Sequence, residues 1–289
     1  MPAVTNLALW PKRGRIPVWI LHTRLQKICA SADTAAAATL RTQLNHRTIR
    51  DFDGRPLGEE LTATLVKAAL HAATSQGMQY ASIIRVQDPA RRQAIAEVCT
   101  QAYVAQAPEL WIFVADTRRA WRVCQEQGGE GAGARSYDAF NAAVADCMIA
   151  AQNTVVAAES HGLGTTYLGS ILNDAERICQ VLELPELTFP VIGLIMGYPD
   201  PERIPALKPR MDAGLRVFTD RYQEPESAVE SLREYDAAIA PWVDIRYGKP
   251  VGPFTDYVPT RLSGSVARRG RLLAAIGAQG FDVALPAEE

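Results

Sequence analysis

The segment His46-Arg47-Thr48-Ile49-Arg50 places one imidazole, two guanidinium groups and a hydroxyl next to one another, and Asp51-Phe52 follows it directly. Arginine offers a planar fork of hydrogen-bond donors, and threonine adds a neutral hydroxyl donor. A second cationic segment, Lys208-Pro209-Arg210, lies far downstream. If folding brings the two segments together, they suit a phosphate-bearing cofactor. The alternative is that both are solvated surface charge, because short basic runs are common.

The composition is that of an ordinary globular protein. The chain has 289 residues, 48% hydrophobic and 21% charged, which is enough for one large domain or two small ones. A net charge of −2 argues against general nucleic-acid binding, which usually requires a basic excess. No sequence segment is long and apolar enough for a membrane span, so we expect no membrane association.

The five cysteines are widely spaced without a CxxC pair, and the four histidines do not accompany them at ligand spacing. An odd number of cysteines without a framework favours reduced thiols in the cytoplasm. We therefore expect a cytoplasmic protein without a zinc or other metal site.

The first 32 residues are predicted to be an appendage. Residues 16–21 are apolar and follow three basic residues, which resembles a signal peptide. The apolar run is too short for one, and His22 and Arg24 interrupt the sequence behind it. The segment is interpreted as a flexible arm, an interface segment or translated sequence upstream of the true start.

Hydrophobic periodicity predicts long helices interleaved with a few buried strands. Helices are expected over residues 34–43, 59–73, 89–100, 136–161, 174–184, 226–239 and 266–276, and strands over 80–86, 110–115 and 190–196. The helix over 136–161 is apolar on almost every side, which is typical of the middle of a protein or of a dimer interface. Cys147 and Met148 on this helix are expected in the core. Together the elements predict an α+β or α/β layer with one core.

No self-contained catalytic motif is present. The sequence has no GxSxG elbow and no HExxH helix, and Ser160-His161 are neighbours with poor geometry for a catalytic pair. Residues 128–133 are glycine-rich but lack the lysine and hydroxyl residue of a P-loop. Residues 162–169 follow a helix rather than a strand, so they are not a Rossmann fingerprint. Chemistry supplied by a cofactor is the better interpretation.

Six motifs in order resemble the nitroreductase superfamily. They are HRTIRDF at 46–52, the Thr-Ser loop before 78–85, Gln101 before 104–107, 162–169, 190–194 and Leu207-Lys208-Pro209-Arg210. Together they look like the NADPH-dependent, FMN-containing branch, which holds oxygen-insensitive nitroreductases and NADPH–flavin oxidoreductases. The resemblance covers residues 33–222 well, is looser beyond them and is absent before residue 33.

The resemblance implies an α+β nitroreductase-like fold, with a central mixed, mostly antiparallel sheet flanked by helices. It also implies an intertwined homodimer that holds FMN in a cleft between its subunits. Residues 1–32 would be an N-terminal extension and residues 33–224 the FMN-binding core. Residues 225–289 would be a C-terminal helical extension that adds dimer and substrate-cleft contacts.

The resemblance further implies which residues bind each group. The phosphate region of FMN would be held by His46, Arg47, Thr48, Lys208 and Arg210. Arg50 would lie at the pyrimidine edge, where a cation stabilises the negative charge of the reduced flavin. The ring system would also contact Thr74, Ser75, Gln101, Tyr167, Leu168, Gly169 and Ser170. The NADPH phosphate would be gripped by Arg246, Lys249 and Arg261, with solvated surface charge as an equal alternative.

These assignments predict a ping-pong oxidoreductase. NADPH or NADH would reduce the flavin at N5 and leave, and a nitroaromatic, quinone or flavin acceptor would take its place, with no side chain acting as acid or base. One alternative is a flavoenzyme of the same fold with other chemistry, such as dehalogenation or heterocycle oxidation. Another is a non-catalytic flavin-binding dimer, which the N-terminal extension favours.

Overall fold

The computed structural model describes residues 35–264 and 267–283. The appendage predicted over residues 1–32, with Cys29, lies outside the described residues. Within them the helices are α1 Ala35–Leu44, α2 Glu59–Leu70, α3 Pro89–Cys99, α4 Tyr103–Gln106, α5 Arg118–Glu126, α6 Tyr137–Ser160, α7 Ala175–Val181, α8 Ala228–Ser231, α9 Arg233–Ile239, α10 Phe254–Leu262 and α11 Leu272–Ala278. None of these described helices has the length and apolar character needed to cross a membrane.

Six strands form two sheets in the described ranges. They are β1 Ala81–Arg85, β2 Glu109–Asp116, β3 Gly164–Leu168, β4 Thr188–Gly197, β5 Val243–Asp244 and β6 Lys249–Pro250. The main sheet has the order β1-β2-β4-β3, and each of its three ladders is antiparallel. The parallel part of the predicted mixed sheet is an isolated bridge between Thr48 and Thr165. The predicted α+β class is confirmed.

The central strand β2 is buried on both faces, which explains its continuous apolar run. Trp111 and Phe113 belong to a core cluster that includes Cys147 of α6. Ile112 lies between them in sequence and belongs to a second cluster, which includes Ile95 of α3. Since successive strand residues point to opposite faces, β2 packs against helices on both faces of the sheet.

The long helix α6 matches the prediction over residues 136–161. It begins where the Ser136 hydroxyl accepts a hydrogen bond from the Ala139 N–H, and Gly162 follows it with φ 76°. Cys147 is fully buried, so its predicted core position is confirmed. The same prediction for Met148 is wrong, because 44% of that residue is exposed on the single chain. Neighbouring helix residues point in directions about 100° apart, so Met148 does not lie on the buried face of α6 that contains Cys147.

Several local predictions are corrected by the structure. Strand β3 was not expected, because its sequence follows a helix, begins with Gly164 and is followed by Gly169. The helices predicted over 59–73 and 174–184 end three residues early, at Leu70 and Val181. The helix predicted over 226–239 is divided at Leu232 into α8 and α9. Helix α10 was missed because Pro259, which cannot donate a backbone hydrogen bond, lies inside it.

The C-terminal segment packs on the core of the sheet layer. The Leu187 N–H donates to the Gln279 carbonyl at 2.7 Å. Phe281 is 3% exposed, and its ring centroid lies 4.8 Å from that of Phe140 on α6. Helix α11 and the residues after it are therefore part of the same packed layer as α6.

Candidate functional site

Thr48 and Ile49 pair with the edge strand β3, and Phe52 is bridged to Pro199 after β4. The Ile49 N–H donates to the Thr165 carbonyl at 2.9 Å, and the Thr166 hydroxyl donates to the Ile49 carbonyl. Gly164 is required at this crossing, because a Cβ there would approach the Ile49 side chain to 2.5 Å. The sheet thus holds the backbone that carries the predicted phosphate contacts.

Arg47 and Arg50 each have a buried Nε atom without a hydrogen-bond partner in the part of the chain that the structure describes. A buried donor left unpaired costs roughly 1–3 kcal/mol, and more when the group is charged. Two such donors from one short segment form a site suited to an acceptor, and their positive charge favours an anion. These residues therefore fit the phosphate-bearing cofactor expected from the sequence.

Arg50 lies beside Tyr103, the first residue of α4. Burial raises the pKa of Tyr103, and the charge of Arg50 together with a hydrogen bond from it lowers that pKa in part. Arg246 is a second cation that acts on this phenol, and Arg50 also acts on Asp244. The β5–β6 hairpin of the C-terminal region therefore lies close to Arg50.

Gln101 and Ser170 come together from distant parts of the sequence. The Ser170 hydroxyl donates to Gln101 Oε1 at 3.2 Å. Gln101 follows α3 through Thr100, which adopts a left-handed conformation with φ 55°. Burial raises the pKa of the neighbouring Cys99 thiol, and a hydrogen bond with Ser170 lowers it in part. Gln101 and Ser170, two predicted flavin contacts, thus lie next to each other beside the end of β3.

The end of β3 presents its backbone to the site. Leu168 is 1% exposed, so its side chain belongs to the core and its main chain alone is available. The Gly169 carbonyl accepts a hydrogen bond from Arg269 Nη2 at 2.6 Å. Because the peptide is trans, the Ser170 N–H points away from that carbonyl. Arg269 was not identified from the sequence, since it lies far from every motif.

The Tyr167 side chain is hydrogen-bonded to a residue of α6. Its hydroxyl donates to Gln152 Oε1 at 3.1 Å. Burial raises the pKa of Tyr167 strongly, and the charge of Glu159 raises it further. Tyr167 is therefore a neutral phenol that joins β3 to α6.

The predicted flavin loop with Thr74 and Ser75 is organised by Asp146 of α6. The Ser75 N–H donates to Asp146 Oδ1 at 2.8 Å, and the Tyr80 N–H donates to Oδ2 at 3.0 Å. Asp146 is 1% exposed, so two backbone donors stabilise a desolvated carboxylate. Sequence analysis missed this residue, although an acid in the middle of an apolar helix is the signal that identifies it.

His46 is paired with a second acid of α6. Its Nδ1 lies 2.7 Å from Glu159 Oε1, and the Thr165 hydroxyl donates to the same oxygen at 2.7 Å. Glu159 was also missed, because nothing local in the sequence relates it to His46.

Lys208 and Arg210 are both exposed. The Lys208 Nζ lies 5.2 Å from the centroid of the Trp242 ring, and Arg210 Nη1 donates to the Lys208 carbonyl at 3.3 Å. Across the described residues, no hydrogen bond or ion pair joins either side chain to residues 46–50. Their predicted role at the phosphate stays a prediction.

The three predicted NADPH contacts have different surroundings. Arg246 is bound by Asp244, with Nη2 2.5 Å from Oδ2 and Nε 2.9 Å from Oδ1. Lys249 is exposed and lies opposite Asp244 in the β5–β6 hairpin. Arg261 is exposed in the last turn of α10. The hairpin brings Arg246 and Lys249 together, whereas no described contact joins Arg261 to them.

The sheet and the site agree with a known protein family. A model of the nitroreductase family matches residues 44–198. The chain belongs to the nitroreductase family. A model of the C-terminal domain of nitroreductases matches residues 208–284. The family resemblance inferred from the six motifs is therefore confirmed.

Relatives named as NADPH-dependent oxidoreductases or nitroreductases match most of the chain. The oxygen-insensitive NADPH nitroreductase of Salmonella typhimurium is 34% identical over 203 residues, which is 70% of this chain and 81% of the relative. An NADPH-dependent oxidoreductase of Staphylococcus saprophyticus is 32% identical over 204 residues, with the same two shares. The NADPH:FMN oxidoreductase from Vibrio harveyi, solved in complex with NAD+, is 30% identical with a TM-score of 0.74. That match covers 86% of this chain and 100% of the solved one, and it confirms the nitroreductase fold.

Proposed function

We propose that this protein is a homodimeric FMN-dependent oxidoreductase. It carries reducing equivalents from NADPH or NADH to a small organic acceptor such as a nitroaromatic, a quinone or a free flavin. The observation that carries the proposal is the pair of buried, unpaired Nε donors on Arg47 and Arg50 in a nitroreductase chain. The NADPH-dependent relatives support the choice of reductant.

The chain would hold FMN through residues of several elements. Arg47, with His46 and Thr48 beside it, would bind the phosphate region, and Lys208 and Arg210 would join them. Arg50, whose Nε atom is buried and whose side chain lies beside Tyr103, would offer a positive charge to the ring system. Bound FMN supplies the hydride chemistry, so the proposed reaction needs no catalytic triad of side chains.

The rest of the ring contacts would come from two loops. Asp146 holds the backbone of the Thr74–Ser75 loop, and Arg269 orients the peptide after Gly169. The Ser170 hydroxyl and the Gln101 amide are already joined and would act as one polar edge. Such positions are preorganised by backbone and side-chain hydrogen bonds before any ligand binds.

The proposal retains residues 33–224 as the cofactor-binding core and residues 225–289 as an extension that completes the cleft. The proximity of the β5–β6 hairpin to Arg50 and Tyr103 supports the second role. Reductant and acceptor would use this cleft in turn, which is the ping-pong scheme expected from the family resemblance.

The test is anaerobic stopped-flow reduction of the FMN-loaded protein with NADPH and with NADH. We expect loss of the visible flavin absorbance with both reductants, faster with NADPH, followed by reoxidation on addition of a quinone. A protein that is colourless and takes up no FMN on reconstitution would contradict the proposal. Tight FMN binding without reduction by either nucleotide would instead favour the flavoenzyme alternatives.

A further inference from the structure

We propose that Glu159 is a positioning residue that holds His46 by its Nδ1 atom, so that Nε2 meets the phosphate of FMN. The inference rests on the proposed function, because His46 is a phosphate contact only if FMN binds at residues 46–50. It adds a residue, located by the tertiary structure, that no motif in the sequence identified.

Glu159 stands where an acid is unfavourable for its own helix. It is the penultimate residue of α6, and the last turn of α6 contains no basic residue. The carbonyl end of a helix carries partial negative charge, so a carboxylate there is repelled. The compensating donors must therefore come from outside α6.

Those donors converge on one oxygen atom. Glu159 Oε1 lies 2.7 Å from His46 Nδ1 and accepts from the Thr165 hydroxyl at 2.7 Å. The Glu159 side chain is 12% exposed, and Thr165 is 1% exposed. A carboxylate this far removed from water needs its hydrogen bonds, which fixes its position relative to β3.

The pairing decides which ring nitrogen His46 offers to a ligand. A carboxylate only accepts, so Nδ1 must carry the proton that faces Glu159. Nε2 has no hydrogen-bond partner among the described residues, and 31% of the side chain is exposed. An imidazolium donates from both nitrogens, so one donor satisfies Glu159 while the other satisfies a phosphate oxygen.

A purely structural role for Glu159 makes a different prediction. In that case its loss would weaken the joint between α6, β3 and residues 46–49 as a whole. The affinities for all ligands of the site would then fall by similar factors. A positioning role affects the phosphate contact alone, so FMN and riboflavin, which lacks the phosphate, distinguish the two.

The experiment measures dissociation constants for FMN and riboflavin on the full-length apoprotein by flavin fluorescence. For Glu159→Ala we expect FMN affinity to fall about tenfold, the equivalent of one charge-assisted hydrogen bond, with riboflavin affinity unchanged. Glu159→Gln keeps the acceptor oxygen without its charge and should give a smaller loss. Ser160→Ala is the matched control, because the Ser160 hydroxyl lies at the same end of α6 but bonds the Ala157 carbonyl, and it should leave both affinities unchanged.

Each other result overturns the inference in an identifiable way. Equal losses for FMN and riboflavin in Glu159→Ala would assign Glu159 a structural role. Unchanged FMN affinity in both Glu159 variants would remove any role in binding. If the wild-type protein binds both flavins equally, the phosphate contact is wrong although flavin binding stands. If it binds neither, the proposed function fails together with the inference.

Discussion

The Ser75 backbone N–H donates at 2.8 Å to an Asp146 oxygen from the middle of α6, 71 residues away in sequence. The Tyr80 N–H donates to the other oxygen of the same carboxylate. The predicted flavin loop is therefore anchored by a buried anion to α6, the longest of the described helices. The predicted flavin contacts of Thr74 and Ser75 would therefore depend on that anchor as well as on the loop sequence.

Asp146→Asn is expected to lower the free energy of unfolding by about 2 kcal/mol, because one buried acceptor becomes an amide donor that faces another N–H. FMN affinity should fall with it. Urea denaturation of the apoprotein measures the first effect. Asp138→Asn removes an exposed acid from the first turn of the same helix and should cost about 0.5 kcal/mol. Equal effects from the two variants would contradict the anchoring role.

Arg47→Met is expected to leave the apoprotein as stable or to stabilise it by about 1 kcal/mol, because a buried unpaired donor is removed. The same change should weaken FMN binding. Thermal denaturation with and without FMN measures both effects. A loss of apoprotein stability above about 1 kcal/mol would indicate that Arg47 already has a structural partner.

Arg50→Met is expected to lower the reduction potential of bound FMN by about 30 mV, which corresponds to about 1.4 kcal/mol for two electrons. The physical reason is the loss of a partly buried positive charge at the proposed position of the flavin ring. Equilibrium dye titration measures the potential. Arg47→Met is the matched control, since it should change affinity and leave the potential unchanged. A potential that is the same in all three proteins would remove the tuning role of Arg50.

Asp244 gives a prediction for acid stability. Hydrogen bonds from Arg246 lower the pKa of this carboxyl below its ordinary value of 3.8. A lowered folded-state pKa means that the ionised group stabilises the protein above the unfolded value, and that this stabilisation disappears as the pH falls through the folded-state pKa. Below about pH 4 the free energy of unfolding should therefore fall more steeply in the wild type than in Asp244→Asn.

Chemical denaturation at a series of pH values measures this slope. Asp256→Asn, which changes an exposed acid of α10, should follow the wild-type curve. Identical slopes for Asp244→Asn and the wild type would show that the Asp244–Arg246 pair does not contribute to acid stability.

Arg269→Ala is expected to increase hydrogen exchange in residues 169–174, because it removes the donors that hold the Gly169 carbonyl and Asn173 Oδ1. The expected loss of stability is about 1–2 kcal/mol. Arg271→Ala lies in the same 3₁₀ segment, and its ion pair with Glu176 is 70% exposed on the arginine side. That control should change stability by under about 0.5 kcal/mol. Unchanged exchange in Arg269→Ala would contradict a role for Arg269 in holding residues 169–174.

Lys208→Glu is expected to weaken FMN binding about tenfold, because it would place a negative charge beside the proposed phosphate site. Lys249→Glu is the control, because Lys249 is a predicted contact of the NADPH phosphate. This substitution should raise KM for NADPH without changing FMN affinity. Fluorescence titration and steady-state kinetics separate the two. Unchanged FMN affinity in Lys208→Glu would contradict a phosphate contact for Lys208, whose observed neighbour is the Trp242 ring.

Much of the fold was predictable because its signals are local. Strands β1, β2 and β4 and helices α1, α3 and α6 carry their periodicity in their own residues, and their predicted bounds differ from the structure by a few residues at most. Met148 was misplaced because an apolar residue on a long helix does not reveal which face is covered. Strand β3 was missed because its pairing with β4 lies elsewhere in the chain.

For the site, the sequence predicted residues 46–50, Gln101 and Ser170 from their residue types and order, and the structure joins Gln101 to Ser170 by a hydrogen bond. Their contacts with FMN stay a prediction. The sequence did not identify Asp146, Glu159 or Arg269. Each of these meets its partner through a hydrogen bond that spans 66 to 113 residues, and such pairs exist only after the sheet has brought α6 and the C-terminal segment against it. Hydrogen bonding is short-ranged and directional, so the partners of these groups depend on packing that no local pattern records.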